Sequence, residues 1–272
     1  MAVALEIEDG NPWYLSRDLW VVPGNNPQGA PGAPIAGQAN YLWALVRNTG
    51  RTPVQDATVR FYWANPAVGF DRTTANLVGT ANVRLDAGQS EPVLCLAAWT
   101  PSFVNGGHVC ILAEVFHQAL DPLLPGPTFN VPTDRHVAQR NLSLVAAAKG
   151  AFRFAFEVHN PARVPRTFAI DVRQGELEQV KPLLRTLGPD VALPDRQGKI
   201  SRIGLVRTPD PTPEAIEAAP MAIEKLELRP GERTGLCLVG QIDGGGALVH
   251  VLQRADDAIV GGLAVLLLPE GE

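Results

Sequence analysis

The chain has 272 residues, enough for two domains of ordinary size, and its 46% hydrophobic and 19% charged residues exclude a disordered polypeptide. A net charge of −5 without long runs of one sign excludes the basic stripe of a nucleic-acid binder and offers no attraction to anionic lipid. The 26 Gly and 24 Pro favour many turns and short strands over long helices.

The N-terminal segment Met1 to Gly10 carries acids and no basic n-region, so no secretory signal is expected there. The expectation is a protein cytoplasmic at synthesis, reaching any surface or secreted assembly by a non-classical route. Trp13 and Tyr14 follow beside Pro12 and are candidates for an interface or a sugar platform. Tyr41, Trp43 and Leu45 alternate with Leu42, Ala44 and Val46, the period of a half-buried strand. Val59, Phe61 and Trp63 repeat that pattern, and Val93 to Trp99 and Val109 to Phe116 predict two more strands. Gly, Pro, Asn and Asp fill the gaps, as at Pro23 to Gly37 and Asn105-Gly106-Gly107.

The second half begins with Phe152, Phe154, Phe156 and Val158 against Arg153, Ala155 and Glu157, followed by Phe168, Ile170 and Val172. It echoes the first half at a corner. Asn48, Arg51 and Pro53 match Asn160, Arg163 and Pro165. Leu85-Asp86-Ala87-Gly88, then Cys95-Leu96, match Leu228-Arg229-Pro230-Gly231, then Cys237-Leu238. The spacing differs: 40 positions separate Asn48 from Gly88, and 71 separate Asn160 from Gly231. An insertion over 174–221 accounts for the difference. Within it Leu177, Val180, Leu184 and Leu187 recur at helical spacing over Glu176 to Leu187, although Pro182 breaks or kinks a helix there. Pro209, Pro211, Pro213 and Pro220 mark an extended loop with one helical turn at Glu214 to Ala219. The apolar group Leu177, Val180, Leu183, Leu184 and Leu187 is too large to leave in water, and part of it is expected to meet a second chain.

The reading is all-β: two tandem immunoglobulin-like β-sandwiches, over 1–145 and 146–272, with the junction near Ala146 to Gly150. In the first of them, Asp18-Leu19-Trp20-Val21-Val22, Ile35-Ala36-Gly37-Gln38, Val46-Arg47-Asn48-Thr49-Gly50, Leu85-Asp86-Ala87-Gly88 and Trp99-Thr100-Pro101 occur in that order. This succession resembles the bacterial cell-adhesion-related immunoglobulin-like domain known as CARDB, over roughly 16–145, with a worn echo over 146–268. The family's closing motif is reduced to Asn141 and the strand after it. What the resemblance implies is a non-catalytic module of bacterial surface, adhesive or multi-protein assemblies, and it transfers no active site.

Chemistry-bearing residues do not assemble into a motif. His108, His117, His136, His159 and His250 lack ligand spacing, and Gly244-Gly245-Gly246 reads as a hairpin tip. Asp71, Asp121, Asp134, Asp256 and Asp257 lack calcium-loop spacing and read as solvated loop residues. Glu91 and Glu114 make a poor glycosidase pair, since nothing polar in the sequence stands beside Glu114. Cys95 and Cys110 could bridge between neighbouring strands, but three buried thiols are expected. No cofactor or metal is expected, and no enzyme activity. The partner is expected to be a protein, including a second copy of the chain, with a carbohydrate bound by first-domain aromatics as the alternative.

Overall fold

A computed structural model describes residues 2–64, 67–68, 72, 75–101, 110–188, 191–208 and 210–269. The strands in chain order are β1 (Leu5–Glu6), β2 (Leu19–Pro23), β3 (Asn40–Asn48), β4 (Val54–Ala64), β5 (Ala67–Val68) and β6 (Asn76–Leu85). They continue with β7 (Ser90–Leu94), β8 (Cys110–Phe116), β9 (Val137–Arg140), β10 (Leu142–Ala147), β11 (Ala151–His159) and β12 (Arg166–Gly175). The last are β13 (Lys199–Val206), β14 (Ala222–Leu228), β15 (Arg233–Asp243), β16 (Ala247–Ala255) and β17 (Ala258–Pro269). Helical structure is confined to short turns, including α1 (Leu184–Leu187) and α2 (Pro213–Glu217). The chain is all-β, and its strands form sandwiches. The turn expected at Asn105 to Gly107 lies outside the described residues.

Contacts divide it into two units. The first comprises 1–64, 71–140 and 182–191; the second comprises 65–70, 141–181 and 192–272. The junction expected near Ala146 to Gly150 therefore falls earlier, between Arg140 and Asn141. The reason is β10, which pairs parallel with β17 from Leu142↔Ala264 to Ala147↔Pro269 and buries Val145 and Ala147 in the second unit's core.

In the first unit β3 carries β1 and β2 along one edge and β7 along the other, while the facing sheet runs β6-β4-β8-β9. The burial of β3 alternates without a break, Leu42, Ala44 and Val46 inward and Tyr41, Trp43 and Leu45 outward, as its period-two pattern requires. These residues meet Val59, Phe61, Leu85, Ala113 and Val115 in one core. Each fully buried Leu or Phe contributes about 1.5–3 kcal/mol, which is what fixes the register of such a strand. Strand β7 stops at Leu94, short of the expected Trp99, which instead bridges to Asn40 beyond it.

The second unit faces a β13-β15-β11-β5 sheet against a β10-β17-β16-β12-β14 sheet. Phe152, Phe154, Phe156 and Val158 of β11 point inward and join Phe168, Ile170, Leu238, Val251 and Val265 in one core. The hairpin tip expected at Gly244 to Gly246 is present: it joins β15 to β16, with Gly244 and Gly245 at φ of 60° and 56°, where a side chain is strained.

The matched corners of the sequence prove to be matched sets of hydrogen bonds. Asn48 Nδ2 donates to Thr52 O at 2.8 Å and to Asp86 O at 3.3 Å, while its Oδ1 accepts from Gly50 N at 3.1 Å. Asn160 Nδ2 donates to Val164 O at 3.0 Å and to Arg229 O at 3.1 Å, while its Oδ1 accepts from Ala162 N at 3.1 Å. The main chain agrees: Gly88 N donates to Asn48 O, and Gly231 N to Asn160 O. Strand order agrees too, since β6-β4-β8-β9 on one side of the first corner has its counterpart in β14-β12-β16-β17.

The insertion departs from its expected helix. Leu177–Gln179 and Lys181–Leu183 are single 3-10 turns, and α1 is one turn long. Pro182 has no amide hydrogen to continue a ladder, so the apolar spacing is met by successive short turns. The insertion also supplies β13, which pairs along β15 from Lys199↔Asp243 to Val206↔Cys237. Of the prolines expected to mark its loop, Pro209 lies outside the described residues.

Candidate interaction surface

Buried polar groups in the first unit are tied to one another. Leu5 N donates to Asp121 Oδ2 at 2.6 Å, which pins the N-terminal strand. The other oxygen of Asp121 faces Arg135 at 2.6 Å and His136 at 3.2 Å, and His136 Nδ1 lies 2.6 Å from Asp134 Oδ1. Asp121 and Asp134 are therefore buried and paired, not solvated loop carboxylates as the sequence suggested. Asp18 pairs with Arg47 and accepts from Glu8 N at 3.0 Å. Nearby, burial first, and then Glu6 and Asp134, push the Asp9 carboxyl up to about 8. Asp71 and His108 lie outside the described residues.

Glu114 has polar support that the sequence did not reveal. It is fully buried on the outer face of β8, 2.7 Å from Arg72 Nε and 3.3 Å from Arg60, and it accepts from the Tyr62 hydroxyl at 2.7 Å. Arg72 in turn lies over the Phe129 ring and donates to Gly126 O and Thr128 O, fastening that loop to the sheet. Burial and then Glu114 push the Tyr62 phenol well above its usual range. Arg140 donates to Leu19 O at 2.8 Å and Thr186 Oγ1 at 2.7 Å, and its burial lowers it to about 10. In the second unit Asp171 pairs with Arg254 at 2.5 Å. His250 Nε2 meets Gln179 Oε1 at 3.0 Å, and burial lowers that histidine to about 4. Asp121, Arg72 and Arg140 among these fasten backbone segments to the sheets.

The thiols are equally enclosed. Cys95, Cys110 and Cys237 are buried and unbridged, and burial raises each thiol above its ordinary value. Among the described residues no three His, Cys, Asp or Glu side chains stand as a metal cluster. A shallow groove of about 370 Å³ lies at the second unit's corner, between Pro165–Thr167 and Glu227–Arg229.

The residues singled out from the sequence are placed as follows. Tyr14 is buried and meets half-buried Trp13 edge-on at 5.2 Å. Leu177, Val180, Leu183 and Leu187 are buried within the chain itself, and Leu184 is half-buried. Their apolar surface is already withdrawn from water, which removes the reason to place a second chain on them.

What the first unit does present is the free edge of β6. Among the described residues β6 pairs only with β4, and it runs ten residues. From Asn76 to Val83 it has no charge and no proline; Asn76, Leu77, Thr80 and Asn82 are exposed. Leu77 is 56% exposed and Leu96, in the segment after β7, is 80% exposed. A side chain added at Gly79 would begin 2.8 Å from Cys95 Sγ and 2.9 Å from Ala97 Cβ, so that segment lies directly against β6. Two other edges are guarded. Strand β7 is five residues long and carries Pro92, and β14, the counterpart of β6, exposes Glu224, Lys225 and Glu227. In the second unit β15, the counterpart of β7, is covered by β13. Sequence reasoning passed over β6 because a strand's place at a sheet edge is not written in its own residues; the lack of charge over Asn76 to Val83 was the available signal.

No protein-family model matches the chain, and no curated protein does. Among solved structures, the CARDB domain of a Pyrococcus furiosus protein, solved in complex with di-metal ions, is 20% identical over 45% of this chain and 84% of that one, at a TM-score of 0.27. Red sea bream transglutaminase is 10% identical over 93% of this chain and 31% of that one, at a TM-score of 0.24. Escherichia coli alpha-2-macroglobulin activated by porcine elastase is 11% identical over 93% and 22%, at 0.27. Likeness this slight carries nothing about ligand or activity. Among the described residues no helix is long and apolar enough to cross a membrane.

Proposed function

We propose that this chain is a non-catalytic interaction protein, a duplicated immunoglobulin-like sandwich that joins a multi-protein assembly by strand addition at β6. The observation that carries this reading is the contrast between the two units. The strand equivalent to β6 in the second unit is shorter and charged, and the neighbouring edge there is covered by β13, whereas β6 is long, uncharged over Asn76 to Val83 and, among the described residues, paired on one side only. An open edge presents main-chain donors and acceptors to an extended segment, and its neighbouring side chains set specificity. The paired Asn48 and Asn160 corners support the duplication. Internal pairing of Glu114, Asp121, His136 and Asp171 supports a structural use of the ionisable groups.

The test is amide hydrogen exchange along β6, measured in the free chain and with extended, uncharged peptides added. Protection of Leu77 to Val83 on association supports strand addition; association that leaves those amides unchanged refutes it. A second reading, carbohydrate binding, rests on the half-buried Trp20 and Trp43 rings, stacked at 5.8 Å and 8° on the outer face of the β3 sheet. Glycan titration that quenches tryptophan fluorescence would favour it.

A further inference from the structure

We infer that the occupant of the β6 edge is the β6 strand of a second copy, paired antiparallel about a two-fold axis so that two β6-β4-β8-β9 sheets become one. This rests on the reading of β6 as an interaction edge. Self-pairing of an edge strand is normally prevented by charges that meet across the seam. Here they do not meet. Arg84 is the one charged residue of β6. With the axis through Thr80, Ala81 or Asn82, Arg84 falls opposite Asn76, Val78 or Thr80, all uncharged. The exposed outer positions nearest the axis are Thr80 and Asn82, side chains that hydrogen-bond across antiparallel strands. The exposed Leu77 lies on the strand itself, so each copy brings apolar surface to the seam. An isologous contact of this kind closes on itself as a dimer and does not propagate.

The experiment is light scattering on the full chain over a dilution series, combined with cysteine cross-linking. Thr80→Cys alone, Asn82→Cys alone and a mixture of the two cover axes through Thr80, Asn82 and Ala81 respectively. The native thiols are buried and do not interfere. The expected result is a concentration-dependent dimer in which one of the three samples forms an intermolecular disulfide under mild oxidation. The double variant Thr80→Lys/Asn82→Lys, at two exposed positions, sets like charges opposite each other in all three registers and should weaken dimerisation by about tenfold or more while the chain stays folded. Thr80→Pro, which removes a ladder donor, should weaken it further. A chain that stays monomeric and gives no cross-link overturns the inference. If that monomer still protects β6 when an extended peptide binds, the edge reading survives and only the second copy is wrong. A dimer unchanged by Thr80→Lys/Asn82→Lys uses another surface, and that result also overturns the inference.

Discussion

Asn48 and Asn160 tie their corners together at residue scale. Each is fully buried, and each closes one end of its sandwich by donating to main-chain carbonyls on both sides of the turn. Removing the amide takes two donated bonds and one accepted bond from a fully buried side chain, at about 0.5–1.5 kcal/mol for each. Asn48→Ala and Asn160→Ala should each cost about 2–4 kcal/mol in denaturant unfolding. Asn48→Asp should cost as much or more, because a carboxylate keeps the bond from Gly50 N but cannot donate to Thr52 O or Asp86 O. An Asp variant as stable as wild type would mean that the donors do not matter. Two titrating groups give opposite pH slopes. Asp9, raised from 3.8 to about 8, holds its proton longer in the folded chain, so its contribution is complete below about 4 and is lost as pH rises through 8. His250, lowered from 6.5 to about 4, contributes fully above 6.5 and loses that contribution as pH falls through 4. Asp9→Asn should therefore gain on wild type as pH rises from about 4 to 8. His250→Gln should gain as pH falls from about 6.5 to 4. Unfolding curves across that range check both signs.

At the scale of elements, the strands with an uninterrupted period of two were legible in the sequence, and the reason is burial on one face. Tyr41 to Val46 and Phe152 to Val158 alternate because water lies on one side and core on the other. The Glu114 network was not legible. It depends on Arg72, brought 2.7 Å from a carboxylate 42 residues away, and no local pattern records that distance. The insertion was legible as an insertion and as apolar, but not as a strand. Lys199 to Val206 becomes β13 because β15 offers an edge, which is a tertiary cause. That placement alters what removal of the insertion should do. Deleting Gln174 to Met221 strips β13 from β15 and takes Leu177, Val180, Leu183, Leu187 and Leu205 out of buried sites. At about 1.5–3 kcal/mol for each such side chain, the loss is comparable to the usual stability of a domain. The second unit of the deleted chain should lose its cooperative unfolding transition. A sharp transition by circular dichroism, with the second unit's amides still protected, would show that β13 and the turns are dispensable.

At the scale of the whole molecule, the chain builds two cores but not from two separable lengths. Residues 182–191 are counted with the first unit although they follow its last strand by some forty positions, and 65–70 are counted with the second. The first unit's claim on 182–191 is specific. Thr186 accepts from the buried Arg140 guanidinium, which otherwise has Leu19 O as its main-chain partner in that unit. Without Thr186 the Arg140 charge loses a bond worth about 1.5–3 kcal/mol for a charged donor and keeps its burial. A fragment of residues 1–140 should therefore be less stable than the same unit in the full chain, by about that amount or more. In the full chain Thr186→Val should reproduce part of the loss, because it keeps the side-chain volume and removes the acceptor. Arg140→Met within the fragment should recover part of the deficit, since it takes away the charge left without its partner. If the fragment matched the full chain in the unfolding of its first-unit amides, 182–191 would be an appendage there, and the first sandwich would be complete at Arg140.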